Sequence, residues 1–178
     1  MKNLMGREET VSTCQLDFVV ADRFELQYIA KDGSPKTPYI IHRAPLSTHE
    51  RLISFLIEMY GGAFPTWMAP VQVRIIPVSE HFHTYAREVQ ALLRDRMLRA
   101  EVDEGGETFN KKIRNAVTSK IPNIWIIGEE ETSARAVTWR RYCVKDQVKM
   151  PMDRAVDAVT AMKRDRLMDN FPDVAIPE

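Results

Sequence analysis

The sequence predicts an α/β fold: a mixed, mostly parallel sheet of about five strands with flanking helices, preceded by antiparallel strands and one long helix. Three observations lead there. From Val71 the apolar pattern alternates strand, helix, strand, helix, strand, and such alternation builds parallel sheets through crossover helices. Residues 124–127 (IWII) are wholly apolar, as a central strand covered on both faces requires. Before Val71, short strand-like runs flank a tight turn, and one 13-residue segment with apolar residues spread round a helix follows them.

The first ten residues are polar and read as a frayed end. Residues 14–20 read as a strand. Residues 24–30 read as another, with Phe24, Leu26 and Tyr28 on one side and Glu25 and Gln27 on the other. Lys31-Asp32-Gly33-Ser34 supplies turn chemistry, and residues 38–42 form the next strand, predicting an antiparallel sheet of three neighbours. A helix is expected from about Thr48 to Tyr60, started by the capping-box spacing of Ser47 and Glu50 and ended by Gly61-Gly62. Leu52, Ile53, Phe55, Leu56, Ile57 and Met59 spread round it, so it should be largely buried. Residues 63–70 hold two prolines and an exposed-looking Trp67 and read as a junction, giving units 1–62 and 71–178.

In the second unit, strands are expected over 71–78, 98–102, 124–127 and 136–142. Helices are expected from a Ser79 cap to about Asp95, from Phe109 to Lys120, and from Asp153 to Asp169 with Met168 among the inward residues. The GEEE run at 128–131 reads as a loop, and Pro172 and Pro177 mark a loose tail.

Composition bounds the function. The 178 residues carry 25 basic and 25 acidic side chains, so the chain lacks the strong positive charge of a non-specific nucleic-acid binder. Any RNA contact must be a local patch. No apolar run is long enough for a membrane span, and no signal peptide is evident. Cys14 and Cys143 stand far apart outside any CxxC pair, so neither a zinc knuckle nor a disulfide framework is indicated, and a reduced cytoplasmic setting is the default. Neither GxGxxG nor GxxxxGK[ST] occurs, and no nucleophilic triad has recognisable spacing. A small-molecule enzyme on this sheet is therefore disfavoured.

Several side chains invite chemistry, each with a bland counterpart. Arg51 stands in a first helical turn, where the dipole mildly disfavours a cation; it faces either an anion such as a phosphate or a neighbouring acid. His42 alone is ordinarily a solvent-facing histidine. His81 and His83 have HxH spacing but read as surface residues, with no metal assigned. Residues 108–120 carry Lys111, Lys112, Arg114 and Lys120 and no acid; Phe109, Ile113 and Ala116 face the core, leaving a basic face that is either solvated or a contact surface. Trp125 and Trp139 read as packing rather than stacking platforms.

The order HRAxLxSxER, a helix, then GGAFPTWMAPVQV resembles motif 3 of class II threonyl-tRNA synthetases and the passage into their anticodon-binding domain. TCQLDF and the YIAKDG turn before it, and EVDEGGETFNKKIRNAVTSKIPNIWIIGEEE after it, extend the resemblance over roughly residues 11–142. It implies the C-terminal part of a threonine–tRNA ligase. Thr13 and Gln15 would then line the active site, Arg51 would contact ATP phosphate, and His42 would be one of three zinc ligands, the other two lying upstream. Arg114, Lys120, Glu131 and Arg140 would meet the anticodon of threonine tRNA. An arginine and a carboxylate together can donate to guanine O6 and N7 and accept from an amino group.

Two departures matter. The usual GSxER is Ser47-Thr48-His49-Glu50-Arg51 here, and Gly105-Gly106 stand where an asparagine often follows the VDxR loop. Motifs 1 and 2 have no counterpart, so this chain alone should hold neither ATP nor zinc and should not form an adenylate. The resemblance further implies a homodimeric parent enzyme, no membrane or DNA partner, and possible monomeric behaviour of this chain. The competing expectation is a free-standing, non-catalytic RNA-binding module descended from such an enzyme.

Overall fold

The computed structural model describes residues 1–3, 5–142, 144 and 146–170. The chain forms two compact units, Met1–Gly61 and Gly62–Glu178. Cys143 and the tail prolines Pro172 and Pro177 lie outside the described residues; Cys14 is an exposed free thiol.

In the first unit, β1 (Thr13–Asp17) pairs antiparallel with β4 (Ile40–Ala44), and β2 (Tyr28–Ile29) with β3 (Pro35–Lys36). These are separate two-stranded ladders, not the expected three-stranded sheet. The cause is local. The Asp17 carboxylate accepts from the backbone N–H of Val19 and Val20, at 2.8 and 2.9 Å, and turns the chain into α1 (Val20–Arg23). That helical turn consumes part of what alternation assigned to strands. The Asp32 turn forms as expected: its carboxylate accepts from Ser34 N and Oγ, and Gly33 takes φ +79°.

Helix α2 (His49–Tyr60) corrects two expectations. Its N-cap is Thr48, whose Oγ1 accepts from Arg51 N at 3.3 Å, rather than Ser47, which sits before it at φ +56°. None of its residues is buried, although it was expected to be largely so. Within this unit only Ala21 reaches core burial among the described residues, while Phe24, Ile29, Tyr39 and Ile41 are each more than 60% exposed. An apolar helix needs apolar neighbours, and the described residues of 1–61 supply them only in part.

The second unit is built on a five-stranded sheet in the order β6-β5-β7-β8-β9. Its strands are β5 (Val73–Pro77), β6 (Ala100–Val102), β7 (Asn123–Ile127), β8 (Ala136–Arg141) and β9 (Gln147–Pro151). β5 runs parallel to β6 and β7; β8 is antiparallel to both β7 and β9. Four strands therefore share one direction and β8 alone is reversed. Four of the five strands lie where the sequence places them, and β9 is additional to them.

Its helices are α3 (His83–Asp95), α4 (Phe109–Thr118), α5 (Glu129–Ser133) and α6 (Met152–Arg164). Ser79 caps no helix through its side chain; a 3-10 turn, Glu80–Phe82, intervenes before α3. The run read as a GEEE loop is the short α5. α6 ends before Asp169, and Met168 is exposed.

The sheet buries both faces unequally. On one, Val73, Ile75, Trp125, Val137 and Trp139 meet Tyr85, Val89 and Leu93 of α3 and Ala155, Val159 and Met162 of α6. Trp125 and Trp139 are cross-strand partners in an edge-on pair 5.6 Å apart, so both tryptophans are core, as expected. On the other face a smaller cluster, Ile76, Ile124, Ala116 and Ile121, holds α4 against the parallel strands. Trp67, read as exposed, is half-buried with the Arg166 guanidinium 6.0 Å from its ring centroid. Beside it Thr66 is buried and bonded to the Asp169 carboxylate, from N at 2.8 Å and Oγ1 at 2.5 Å.

Candidate nucleic-acid interface

The α4 face of the sheet is where the candidate residues gather. On β8, alternation puts Ala136, Thr138 and Arg140 on this face and Val137, Trp139 and Arg141 on the buried one. α4 covers only the parallel strands here. Thr138 and Arg140 stay half-exposed, and their β9 partners Lys149 and Gln147 are exposed. The antiparallel part of this face is a shallow polar platform.

Arg140 has a distinctive environment. Its Nε is buried with no hydrogen-bond partner, and among the described residues the guanidinium makes no ion pair. Arg74 also has an unpartnered Nε, but its Nη2 meets Glu101 Oε2 at 2.8 Å. A partly buried cation with idle donors is ready for an external acceptor.

Glu131 lies on α5 and is brought to the same platform, but part of its capacity is already used. Its Oε2 accepts from Gly128 N at 2.9 Å, closing the N-terminus of α5. Its Oε1 accepts from Thr138 Oγ1 at 2.7 Å. Each oxygen keeps a second lone pair. A side chain at Gly128 would crowd this arrangement, since a Cβ there would meet Glu131 Oε2 at 3.1 Å. In the same turn, Glu130 pairs with Lys149 at 2.9 Å, which holds the Glu130 carboxyl below its ordinary value and the lysine above its own.

The basic run on α4 divides. Lys112, expected on the basic face, is buried: its Nζ donates to the Asp103 carbonyl at 2.9 Å and ties α4 to the segment leaving β6. Lys111 pairs with Glu107 at 2.7 Å. Arg114 is exposed on the side of α4 opposite Ala116, with no ion pair among the described residues. Lys120 follows α4 in a left-handed conformation, φ +54°, with its stem beside Gly62. Gly105 and Gly106 do not have positive φ, and a Cβ at Gly106 would meet nothing within 4 Å, so the backbone does not demand glycine there.

In the first unit, Gln15 and His42 are directly opposed across β1 and β4, with Thr13 opposite Ala44 on the same side. His42 is exposed and has no companions: among the described residues no group of three His, Cys, Asp or Glu could hold a metal. One imidazole does not fit zinc, which takes three protein ligands at a catalytic site. Arg51 lines a cleft of about 320 Å³ with Ser47, Leu52, Phe55, Glu9 and Glu58. Of its two sequence readings, the salt bridge is not formed among the described residues. Glu9 and Glu58 line the same cleft, so an anion entering it would meet two carboxylates as well as the guanidinium.

Residues 72–162 match a protein family described as "Anticodon binding domain", and residues 1–60 match "tRNA synthetase class II core domain (G, H, P, S and T)". The threonine–tRNA ligase of Geobacillus kaustophilus is 50% identical over 154 residues, covering 86% of this chain and 24% of that protein. That of Listeria monocytogenes is 48% identical over 162 residues, covering 90% and 25%.

The chain belongs to the threonyl-tRNA synthetase family.

It spans about a quarter of the length of these relatives and contains part of the class II core and the family's anticodon-binding domain. The RNA-binding domain of threonyl-tRNA synthetase from Cryptosporidium parvum Iowa II is similar in structure: TM-score 0.75, 32% identity, 90% of this chain and 41% of that one. Prolyl-tRNA synthetase from the same organism, at 18% identity, shares the fold with a TM-score of 0.73 over 90% of this chain and 34% of that one. The mixed sheet with flanking helices is thus the family's anticodon-binding architecture.

β9, which carries Gln147 and Lys149, is not among the strands expected from the sequence. The signal was present: QVKMP alternates polar and apolar residues, the pattern of a half-buried strand.

Proposed function

We propose that the second unit reads the anticodon of threonine tRNA, with Arg140 as the principal base contact. The observation that carries this reading is the idle, partly buried Arg140 guanidinium on the uncovered part of the sheet. A guanidinium can donate two parallel bonds to guanine O6 and N7. Unstacked anticodon bases expose the edges such a group needs. Glu131 steadies Thr138, two residues before Arg140, and offers its remaining lone pairs to a base amino group. Arg114 and Lys120 supply backbone contacts at the α4 edge.

In this reading the domain serves ATP-dependent threonylation by a longer, cytoplasmic and homodimeric ligase. ATP and zinc belong to that enzyme: Arg51 would meet the nucleotide, Gln15 the substrate side, and His42 would be one zinc ligand of three. The residues of this chain do not themselves complete either site, so no catalytic step is assigned to them. A second reading is a non-catalytic RNA-binding module. The two glutamates beside Arg51 and the strained Ser47 at the motif 3 turn favour it.

The test is binding of the chain to a threonine tRNA anticodon stem-loop and to the hairpin changed at the second and third anticodon bases. A drop of about tenfold on the change supports anticodon reading; equal binding overturns it. An ATP–pyrophosphate exchange assay with threonine should show no exchange by this chain in either reading; exchange would overturn the assignment of catalysis to a longer enzyme.

A further inference from the structure

We infer that Gln147, on the edge strand β9, is a second base-reading side chain beside Arg140, and that Lys149 holds the adjoining RNA phosphate. The inference rests on the reading of this domain as an anticodon reader and names the residues that would extend its site.

The register carries it. Gln147 is the direct cross-strand partner of Arg140, and Lys149 of Thr138. Directly opposed residues leave the same face of a sheet with Cβ atoms about 5 Å apart. Arg140 and Gln147 therefore form one row and Thr138 and Lys149 the next, all on the face that α4 leaves uncovered. Gln147 is exposed and its amide makes no hydrogen bond to any described residue. Met150 packs against the main core from the opposite side of the strand, which fixes which way Gln147 and Lys149 project.

The chemistry is complementary rather than redundant. A guanidinium only donates, whereas a carboxamide donates and accepts together. A row of Arg140 and Gln147 can therefore serve two neighbouring bases with different edges, a purine acceptor pair under the arginine and a donor–acceptor edge under the amide. Lys149 spends one contact on Glu130 and keeps two N–H donors. Its position one row along suits the backbone of the same nucleotides rather than another base. The nearby carboxylates, Glu130 and Glu131, are each engaged with protein donors, Lys149 for the first and Gly128 and Thr138 for the second. They leave the amide itself unopposed.

The test uses the full chain and four hairpins: the threonine tRNA anticodon stem-loop and three versions, each with one anticodon base changed. Dissociation constants are measured for the parent, Gln147→Ala, Arg140→Ala and Lys149→Ala. Gln147→Ala should bind the unchanged hairpin about tenfold more weakly and lose discrimination at one anticodon position, different from the position released by Arg140→Ala. Lys149→Ala should weaken all four hairpins by a similar factor and reduce the salt slope by about one. Failure of the parent to discriminate among the hairpins would overturn the anticodon reading itself. A parent that discriminates, with Gln147→Ala showing the same profile at unchanged melting temperature, would overturn only the role of Gln147. If Gln147→Ala proved unstable, Gln147→Thr, which suits a strand and shortens the reach, is the substitute, and the same profile decides.

Discussion

Removing the Asp169 carboxylate should unfold the second unit at a temperature about 12 °C lower. Asp169 is buried, and its side chain accepts from Thr66 N at 2.8 Å and Thr66 Oγ1 at 2.5 Å. Thr66 in turn accepts from Asn123 Nδ2, which also donates to the Gln72 carbonyl; Gln72 Nε2 donates to the Thr66 carbonyl. The carboxylate thus closes a network joining the entry segment of the unit to the segment after α6. Asp169→Ala leaves two buried donors on Thr66 without acceptors. A bond to a charged acceptor is worth about 1.5–3 kcal/mol, so losing both, after partial relaxation, costs about 3 kcal/mol. At about 2.1 cal/mol/K per residue, the unit Gly62–Glu178 unfolds with roughly 0.25 kcal/mol/K of entropy, which converts 3 kcal/mol to about 12 °C. Arg141 Nη2 donates to the Asp169 backbone carbonyl and is unaffected by the change.

Tryptophan fluorescence is the appropriate probe, because Trp67, Trp125 and Trp139 all lie in this unit. Asp169→Asn keeps one acceptor but points an amide at a hydroxyl already receiving Asn123, so it should cost about half as much. A melting temperature for Asp169→Ala within about 3 °C of the parent would refute the network's role. Equal losses for Ala and Asn would show that the charge, not the acceptor geometry, is what matters.

Four further changes have definite expected outcomes. Trp139→Phe should destabilise more than Trp125→Phe by about 1–2 kcal/mol in denaturant titrations, because Trp139 Nε1 donates to buried Asn123 Oδ1 while Trp125 Nε1 has no partner. Met97→Gly should raise stability by about 1 kcal/mol, since Met97 follows α3 at φ +57° with 78% of its surface exposed, losing little contact in exchange for relief of left-handed strain. Gly106→Asn should leave the melting temperature within about 2 °C of the parent, because the position is sterically open, and strengthen hairpin binding about fivefold, because the resemblance to the synthetases implies an asparagine contact near this loop. Stability should fall as pH drops below the ordinary carboxylate values: Arg87 lowers Glu104, Lys111 lowers Glu107, and backbone N–H groups lower Asp17, each from 4.5, 4.5 and 3.8. Lowered folded values mean the contribution is full above the unfolded values and is lost as pH falls through the folded ones, and Glu104→Gln should flatten part of that acid limb in melts at graded pH.

The second unit was legible because its elements carry their own burial. IWII, VQVRIIPV and the Phe109-Ile113-Ala116 stripe each point to a core that the same residues complete. β9 escaped because Gln147, Val148 and Lys149 are all exposed and Met150 alone packs against the core. The first unit was misread where side-chain hydrogen bonds outcompete pattern. Asp17 ends a strand that alternation would continue, and Thr48 caps a helix that the spacing of Ser47 and Glu50 had assigned one residue earlier. The burial of α2 was misjudged for a different reason: its apolar surface is encoded in the sequence, but the described residues of 1–61 cover it only in part, leaving Leu52, Phe55 and Leu56 half-buried.

Glu131 and Arg140 are both expected to meet the anticodon, and the structure gives them unequal environments. The Glu131 oxygens accept from Gly128 and Thr138, so substituting it disturbs α5 and β8 before it touches any ligand. Arg140 is the opposite case. Leaving its Nε buried without a partner costs about 1–3 kcal/mol in the free protein. An apolar residue at the same position, beside Ile124 on the neighbouring strand, would avoid that cost. Such a penalty is tolerated where binding recovers it, and the recovery must come from an acceptor that approaches the uncovered face. Arg74, one strand beyond Ile124, shares the unpartnered Nε but already has Glu101 as its counter-ion and so has less to gain. Arg140→Met should therefore stabilise the free chain while abolishing most anticodon discrimination, two opposite signs from one substitution. A merely structural arginine would lose stability and leave the hairpin profile intact.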